Sequence, residues 1–126
     1  MISDSFLQLA IDIAKTSPSK KKVGAVLLKK SKVVSTAVNL ENKSHPWQAE
    51  LAKKVGLYQK IYLHSEVHAL IKSREEADTI VVARVNNQGQ LRNSSPCPIC
   101  RLALESEGIQ NIYYTTNKGF LYEYSN

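Results

Sequence analysis

The sequence predicts an α/β fold, with a mixed β-sheet of about five strands covered by helices. Three observations carry this expectation. An apolar stripe at helical spacing over residues 2–16 is followed directly by two β-rich runs close enough to form a hairpin. Residues 79–85 are apolar at nearly every position, as suits a strand covered on both faces. Between 79 and 115 a strand, a helix and a strand succeed one another at lengths that imply a parallel crossover.

Each element has its own local reason. Phe6, Leu7, Leu9, Ala10, Ile13 and Ala14 make the stripe of the first helix; Ser3 is its N-cap, and Ser17-Pro18 stops it. Val23–Leu28 and Val33–Val38 are the hairpin strands, joined through Lys29-Lys30-Ser31-Lys32. Gly24 lacks a side chain and so permits close approach of a ligand or a neighbouring backbone. Residues 40–60 hold a short helix from Trp47 to Val55, with Leu51 and Val55 facing in and Gly56 closing it. Ile61-Tyr62-Leu63 leads into a helix from Ser65 to Arg74. After the 79–85 strand come a turn at Asn86-Asn87-Gln88-Gly89 and a polar loop over 90–95. A helix from about Cys97 to Glu107 takes its apolar side from Leu102, Ala103 and Leu104 and ends at Gly108. Ile109–Thr115 is the parallel strand, Asn117-Lys118-Gly119 a turn, and Phe120–Tyr124 a short strand or docked tail.

A chain of 126 residues with 43% hydrophobic content is expected to form one domain, 1–126, with an ordinary core. Seventeen basic and 11 acidic residues give a net charge of +6. The lysines cluster at 20–22 and at 29, 30 and 32, which reads first as a solvated loop and hairpin tip and otherwise suits a phosphate-bearing partner. No apolar run approaches a membrane span, and no membrane partner is expected. Both cysteines fall in one C-x-x-C, so there is no disulfide framework, and the thiols are free for metal in a reducing compartment. Asp4 and Asp12 stand where a signal peptide would be basic, which makes the cytoplasm the expected location.

The chemistry concentrates in His64-Ser65-Glu66 and Pro96-Cys97-Pro98-Ile99-Cys100. One imidazole and two thiolates are three metal ligands, the number a catalytic zinc site uses when a fourth position stays open for water. A carboxylate that is not itself a ligand, Glu66, can then move that water's protons. Each motif opens a helix, whose free N–H groups and dipole favour thiolate. Two rival metal readings exist. A zincin needs Glu directly after the first His, where this chain has Ser65. A closed structural zinc on His64, His68, Cys97 and Cys100 leaves no open position and gives Glu66 no task.

H-x-E followed by P-C-x-x-C is the signature of the zinc deaminases. On these residues, and from Val23-Gly24-Ala25-Val26 through Tyr113-Tyr114, the chain resembles the cytidine/deoxycytidylate deaminase family. Its one departure is Ser65, where the family usually has Ala. The resemblance implies a three-layer α-β-α cytidine deaminase-like fold, with Zn2+ on His64, Cys97 and Cys100 and Glu66 as the catalytic proton shuttle. It further implies a substrate pocket with Gly24 and Ala25 on its floor and Asn39 on the sugar, and with Ser65 and Pro96 as further substrate-binding residues. Without that resemblance, Asn39 reads as simply ending its strand. His45 and Trp47 are candidates for the pocket mouth, or else a surface His and a packing Trp. The expected reaction is hydrolytic deamination of a cytosine nucleotide or nucleoside, deoxycytidylate first, by a homo-oligomer. The alternative substrate is a base in single-stranded nucleic acid, to which Ser95-Pro96-Cys97 and the lysine clusters point. A non-catalytic zinc-stabilised binding module is the remaining alternative.

Overall fold

Alternation along two central strands sets the layers of the molecule, seen here in a computed structural model that describes residues 2–57 and 62–125. The elements run α1 (Asp4–Lys15), β1 (Lys22–Lys29), β2 (Lys32–Val38), β3 (Leu40–Ser44), α2 (Pro46–Lys54), β4 (Tyr62–Leu63), α3 (Ser65–Lys72), β5 (Thr79–Val85), β6 (Leu91–Arg92), α4 (Pro98–Ser106), β7 (Asn111–Thr116) and β8 (Gly119–Tyr124). Successive strand side chains point to opposite faces. Val26 and Leu28 of β1 and Val81, Ala83 and Val85 of β5 therefore pack with Ala10 and Ala14 of α1. Ala25 and Leu27, with Ile80 and Val82, pack on the other face against Ala69 of α3 and Leu104 of α4. Helix, sheet and helix form three layers, as expected.

The main sheet has the order β2-β1-β5-β7-β8, and β6 pairs with the end of β5 beyond the reach of β7. β1 is antiparallel to both β2 and β5, β5 is parallel to β7, and β7 is antiparallel to β8, so the sheet is mixed. The β1–β2 turn is tight, with Lys30 at φ 48° and Ser31 at φ 66°. Positive φ at both central residues matches the right-handed strand twist. The Asp78 carboxylate accepts from the Lys30 N–H at 3.0 Å and holds the turn. Ser3 caps α1 as expected, accepting from the Ser5 N–H.

The structure revises the reading at several edges. Leu40–Ser44 is a strand, paired with Tyr62–Leu63 in a separate two-stranded sheet. The segment Leu-Glu-Asn-Lys-Ser has no apolar alternation to announce it. α2 begins at Pro46, because the His45 ring accepts from the Trp47 N–H at 3.1 Å and caps the helix. α3 ends at Lys72, two residues before Arg74, since Ser73 is already extended. The 90–95 loop contains β6, and Phe120–Tyr124 lies within a true edge strand. The expectation for Ile61 lies outside the described residues. Among the described residues no helix is long and apolar enough to cross a membrane.

Candidate active site

Two helix N-termini bring the motifs together. His64 is the residue before α3 and Cys97 the residue before α4, both in extended conformation, and neither side chain caps its own helix. Pro98 starts α4 without needing a free N–H, and Cys100 lies in its first turn. His64 Nδ1 stands 3.2 Å from Cys100 Sγ and 3.5 Å from Cys97 Sγ. All three ligand atoms lie within 4.8 Å of one another. A tetrahedral zinc with Zn–N near 2.0 Å and Zn–S near 2.3 Å requires N to S spacings of about 3.5 Å. The set therefore fits such an ion through Nδ1, and the fit stands on ligand atoms alone. The Cys97 thiol is held down to about 4, first by its hydrogen bond with Cys100 and then, against burial, by His64. Cys100 is pushed well up by the same shared hydrogen bond and by burial.

Glu66, the second residue of α3, is 6% exposed. Its Oε1 accepts from Ser65 Oγ at 2.8 Å, and Ser65 is fully buried. A cavity of about 300 Å³ opens on this group and is lined by His64, Ser65, Glu66 and Cys97. The Tyr62 ring leans on His64 with centroids 4.7 Å apart, and burial raises its hydroxyl's pKa. Farther out the wall carries Lys21 and Arg84, together with Asn39 and Glu41. The loop Asn93-Ser94-Ser95 closes another side. It is anchored where Ser94 Oγ donates to the Val82 carbonyl at 2.9 Å and accepts from the Thr115 N–H at 2.8 Å.

A half-buried imidazole and two sulfurs at ligand spacing, next to a buried carboxylate in a cavity, are the features of a zinc hydrolase site. The model of one protein family, the cytidine and deoxycytidylate deaminase zinc-binding region, matches residues 2–116. The chain belongs to that family. Its zinc-binding region and zinc-dependent cytosine deamination come with that membership. Solved structures share the deaminase's fold. The cytidine deaminase from Burkholderia pseudomallei aligns with TM-score 0.66 at 20% identity, over 98% of this chain and 93% of its own. The dCMP deaminase from the cyanophage S-TIM5, in complex with dCMP and dUMP, aligns with TM-score 0.56 at 22% identity, over 88% and 78%. The cytidine deaminase from Mycobacterium leprae gives 0.58 at 20%, over 94% and 91%. No curated protein matches by sequence.

Several expected site residues lie elsewhere in the deaminase. Gly24 does not floor the cavity. A Cβ there would meet the Ala14 backbone N at 2.5 Å, so the missing side chain makes room for α1 on the opposite face. Ala25 is sealed in the core with Ala69 and Leu104, and Pro96 is buried behind the cavity wall; none of the three lines the cavity. Val23 does. Asn39 lines it but is committed to its own chain: Oδ1 accepts from Ser17 Oγ at 2.7 Å and from the Val23 N–H at 3.1 Å, and Nδ2 donates to the Lys21 carbonyl at 2.7 Å. His68 Nδ1 donates to the Val38 carbonyl at 2.8 Å, and His68 is not in the metal group, which removes the closed four-ligand site. His45 caps α2, and Trp47 packs on the cluster of Leu51 and Ile99, so neither reaches the cavity. The sequence reading did not place Tyr62, Arg84, Asn93 or Ser94 at the site; Lys21 entered it only within the 20–22 lysine cluster and Ser95 only within Ser95-Pro96-Cys97. Arg84 had a signal: it follows Ile80 and Val82 on one face of a buried strand, where a charge must find an opening.

Proposed function

We propose that this deaminase removes the exocyclic amine of a free cytosine nucleotide, with deoxycytidylate as its preferred substrate. The observation that carries the reading is the His64–Cys97–Cys100 group beside buried Glu66, in a cavity whose wall bears Lys21 and Arg84. His64 Nδ1, Cys97 Sγ and Cys100 Sγ would hold the zinc. When bound, zinc supplies the Lewis acidity that makes water nucleophilic near neutral pH. Glu66 accepts the proton that the attacking water loses. It passes that proton to N3 of the ring, then takes the second proton from the oxygen now bonded to C4 and hands it to the departing amine. A C4–O bond forms, the C4–N bond breaks, and the products are the uracil compound and ammonia. Ser65 Oγ keeps the Glu66 carboxylate in one rotamer from the Oε1 side. Asn39 has one Nδ2 hydrogen left after its bond to Lys21, and that hydrogen meets a sugar hydroxyl.

Lys21 and Arg84 favour a phosphate over a bare nucleoside, and among the described residues no carboxylate is ion-paired with either. The reading includes a single deaminase domain acting in the cytoplasm, supported by two cysteines that both serve the metal group. It also includes a homo-oligomer, supported by the edge strand β8, where Leu121, Tyr122 and Tyr124 are exposed. The test is ammonia release from zinc-loaded protein given cytidine, deoxycytidylate, free cytosine or a cytosine-containing oligonucleotide. Release fastest from deoxycytidylate supports the reading. Release from the oligonucleotide alone replaces the substrate class, and none from any replaces the enzyme with a binding module.

A further inference from the structure

Gln48 is a polar residue with no role in the chemistry above, and it is fully buried. It sits on α2, the helix that gives Leu51 and Ala52 to an apolar cluster with Val67, Ile99 and Cys100. Its Oε1 lies 3.4 Å from the backbone N–H of His64 and accepts from it. Its Nε2 has no partner among the described residues, and neither has His64 Nε2. A buried amide with one end unpartnered is unfavourable, and Leu or Met would fill the same space without that penalty. The apolar packing of α2 therefore does not account for a glutamine.

The metal ligand does account for it. His64 presents Nδ1 to the two sulfurs, so in the zinc-bound form the proton must sit on Nε2. Nε2–H and the Gln48 NH2 are then both donors and cannot satisfy each other. The contact left is that of the Gln48 oxygen to the His64 backbone, where the chain leaves β4 and enters α3. Restraining the backbone there restrains where Nδ1 meets Cys97 and Cys100. Losing a group that orients a ligand typically costs about 10- to 100-fold in metal affinity. We propose that Gln48 is a positioning residue for the zinc site, acting through the His64 backbone. The proposal rests on the assignment of His64 as a ligand.

Zinc-loaded protein titrated with a chromophoric chelator reports affinity, and denaturant unfolding of stripped and loaded forms reports packing. Gln48→Met keeps the volume and removes the polar atoms. Its zinc affinity is expected to fall about 10- to 100-fold, while the stripped form is as stable as wild type or more so. Unchanged zinc affinity overturns the proposal. So does an equal loss of stability in stripped and loaded forms, which would mark Gln48 as a packing residue. If Gln48→Met does not fold, Gln48→Asn decides, because it withdraws the oxygen by one methylene: a similar fall supports the proposal, and wild-type affinity overturns it. His64→Ala is the control. If that variant binds zinc like wild type, the ligand assignment fails; if it loses zinc while Gln48→Met and Gln48→Asn do not, only the present inference fails.

Discussion

Substituting Gly24 with alanine separates two jobs a glycine at the start of β1 might be thought to do. The new Cβ would stand 2.5 Å from the Ala14 backbone N, 2.9 Å from Ala14 Cα and 3.0 Å from the Ala10 carbonyl oxygen. All three are backbone atoms of α1 and cannot rotate aside. Reaching an ordinary separation of about 3.5 Å requires the helix to back off by roughly 1 Å. That loosens Ala10 and Ala14 against Val26, Val81 and Ala83. Overpacking of this kind costs about 1–3 kcal/mol. Stiffening the unfolded chain returns about 0.4–1 kcal/mol. The net loss is about 1–2 kcal/mol, a fall in Tm of roughly 4–8 °C for a chain this long. Thermal and urea unfolding followed by circular dichroism measure it, with the midpoint moving and the slope m unchanged. α1 covers the face of the sheet opposite α3 and α4, so KM for the cytosine substrate should stay at the wild-type value. Wild-type stability together with a raised KM would refute the reasoning and return Gly24 to the cavity.

Three further outcomes follow from the same geometry. Glu66→Gln should keep the fold and the zinc yet lose at least about 100-fold in turnover, the usual worth of a positioned acid–base group; ammonia release at wild-type rate would remove Glu66 from the mechanism. Arg84→Ala and Lys21→Ala should each raise KM for deoxycytidylate about tenfold, as loss of one charge-assisted hydrogen bond does, and leave cytidine kinetics unchanged. Equal effects on both substrates would place the phosphate elsewhere. Arg101 donates to both carboxylate oxygens of Glu123, at 2.7 and 3.3 Å, and with the Tyr114 hydroxyl holds that carboxyl below its ordinary range. A depressed carboxylate stabilises the fold fully above its unfolded pKa and ceases to as pH falls through the folded value. Glu123→Gln should therefore flatten part of the acid limb of stability against pH. A variant with the wild-type acid limb would show that the pair, about two-fifths exposed on each side, is screened to nothing.

The helices, the hairpin and the parallel crossover were legible because each has a period or a stop of its own. The apolar stripe from Phe6 to Ala14 and the run from Thr79 to Val85 needed no tertiary context. The short pairings were not legible. Among the described residues β3 meets β4 at Leu40 and Ser44, across a register shift, and β6 has two residues. The face of Gly24 was hidden for a different reason. Gly24 through Leu28 are buried in unbroken sequence, so hydropathy carries no parity and cannot tell which side a residue faces. Only α1, packed over one face, breaks the tie.

The candidate metal site was legible from its two motifs, and the structure adds a physical sign of its own. Helix starts prefer Ser, Thr, Asp or Asn, whose side chains satisfy a free N–H. α1 obeys with Ser3, and α2 is capped by the ring of His45. α3 and α4 instead begin at His64 and Cys97, and neither side chain makes a capping bond. Two helices that forgo a cap within one small fold, with their first turns facing each other, hold back strong ligands for something other than their own backbone. The same reasoning reaches Gln48, where a polar group buried among leucine and isoleucine has given up solvent for a contact to one of those helix starts. In this chain, polar residues that decline their ordinary local task stand beside the motif residues as markers of the chemistry.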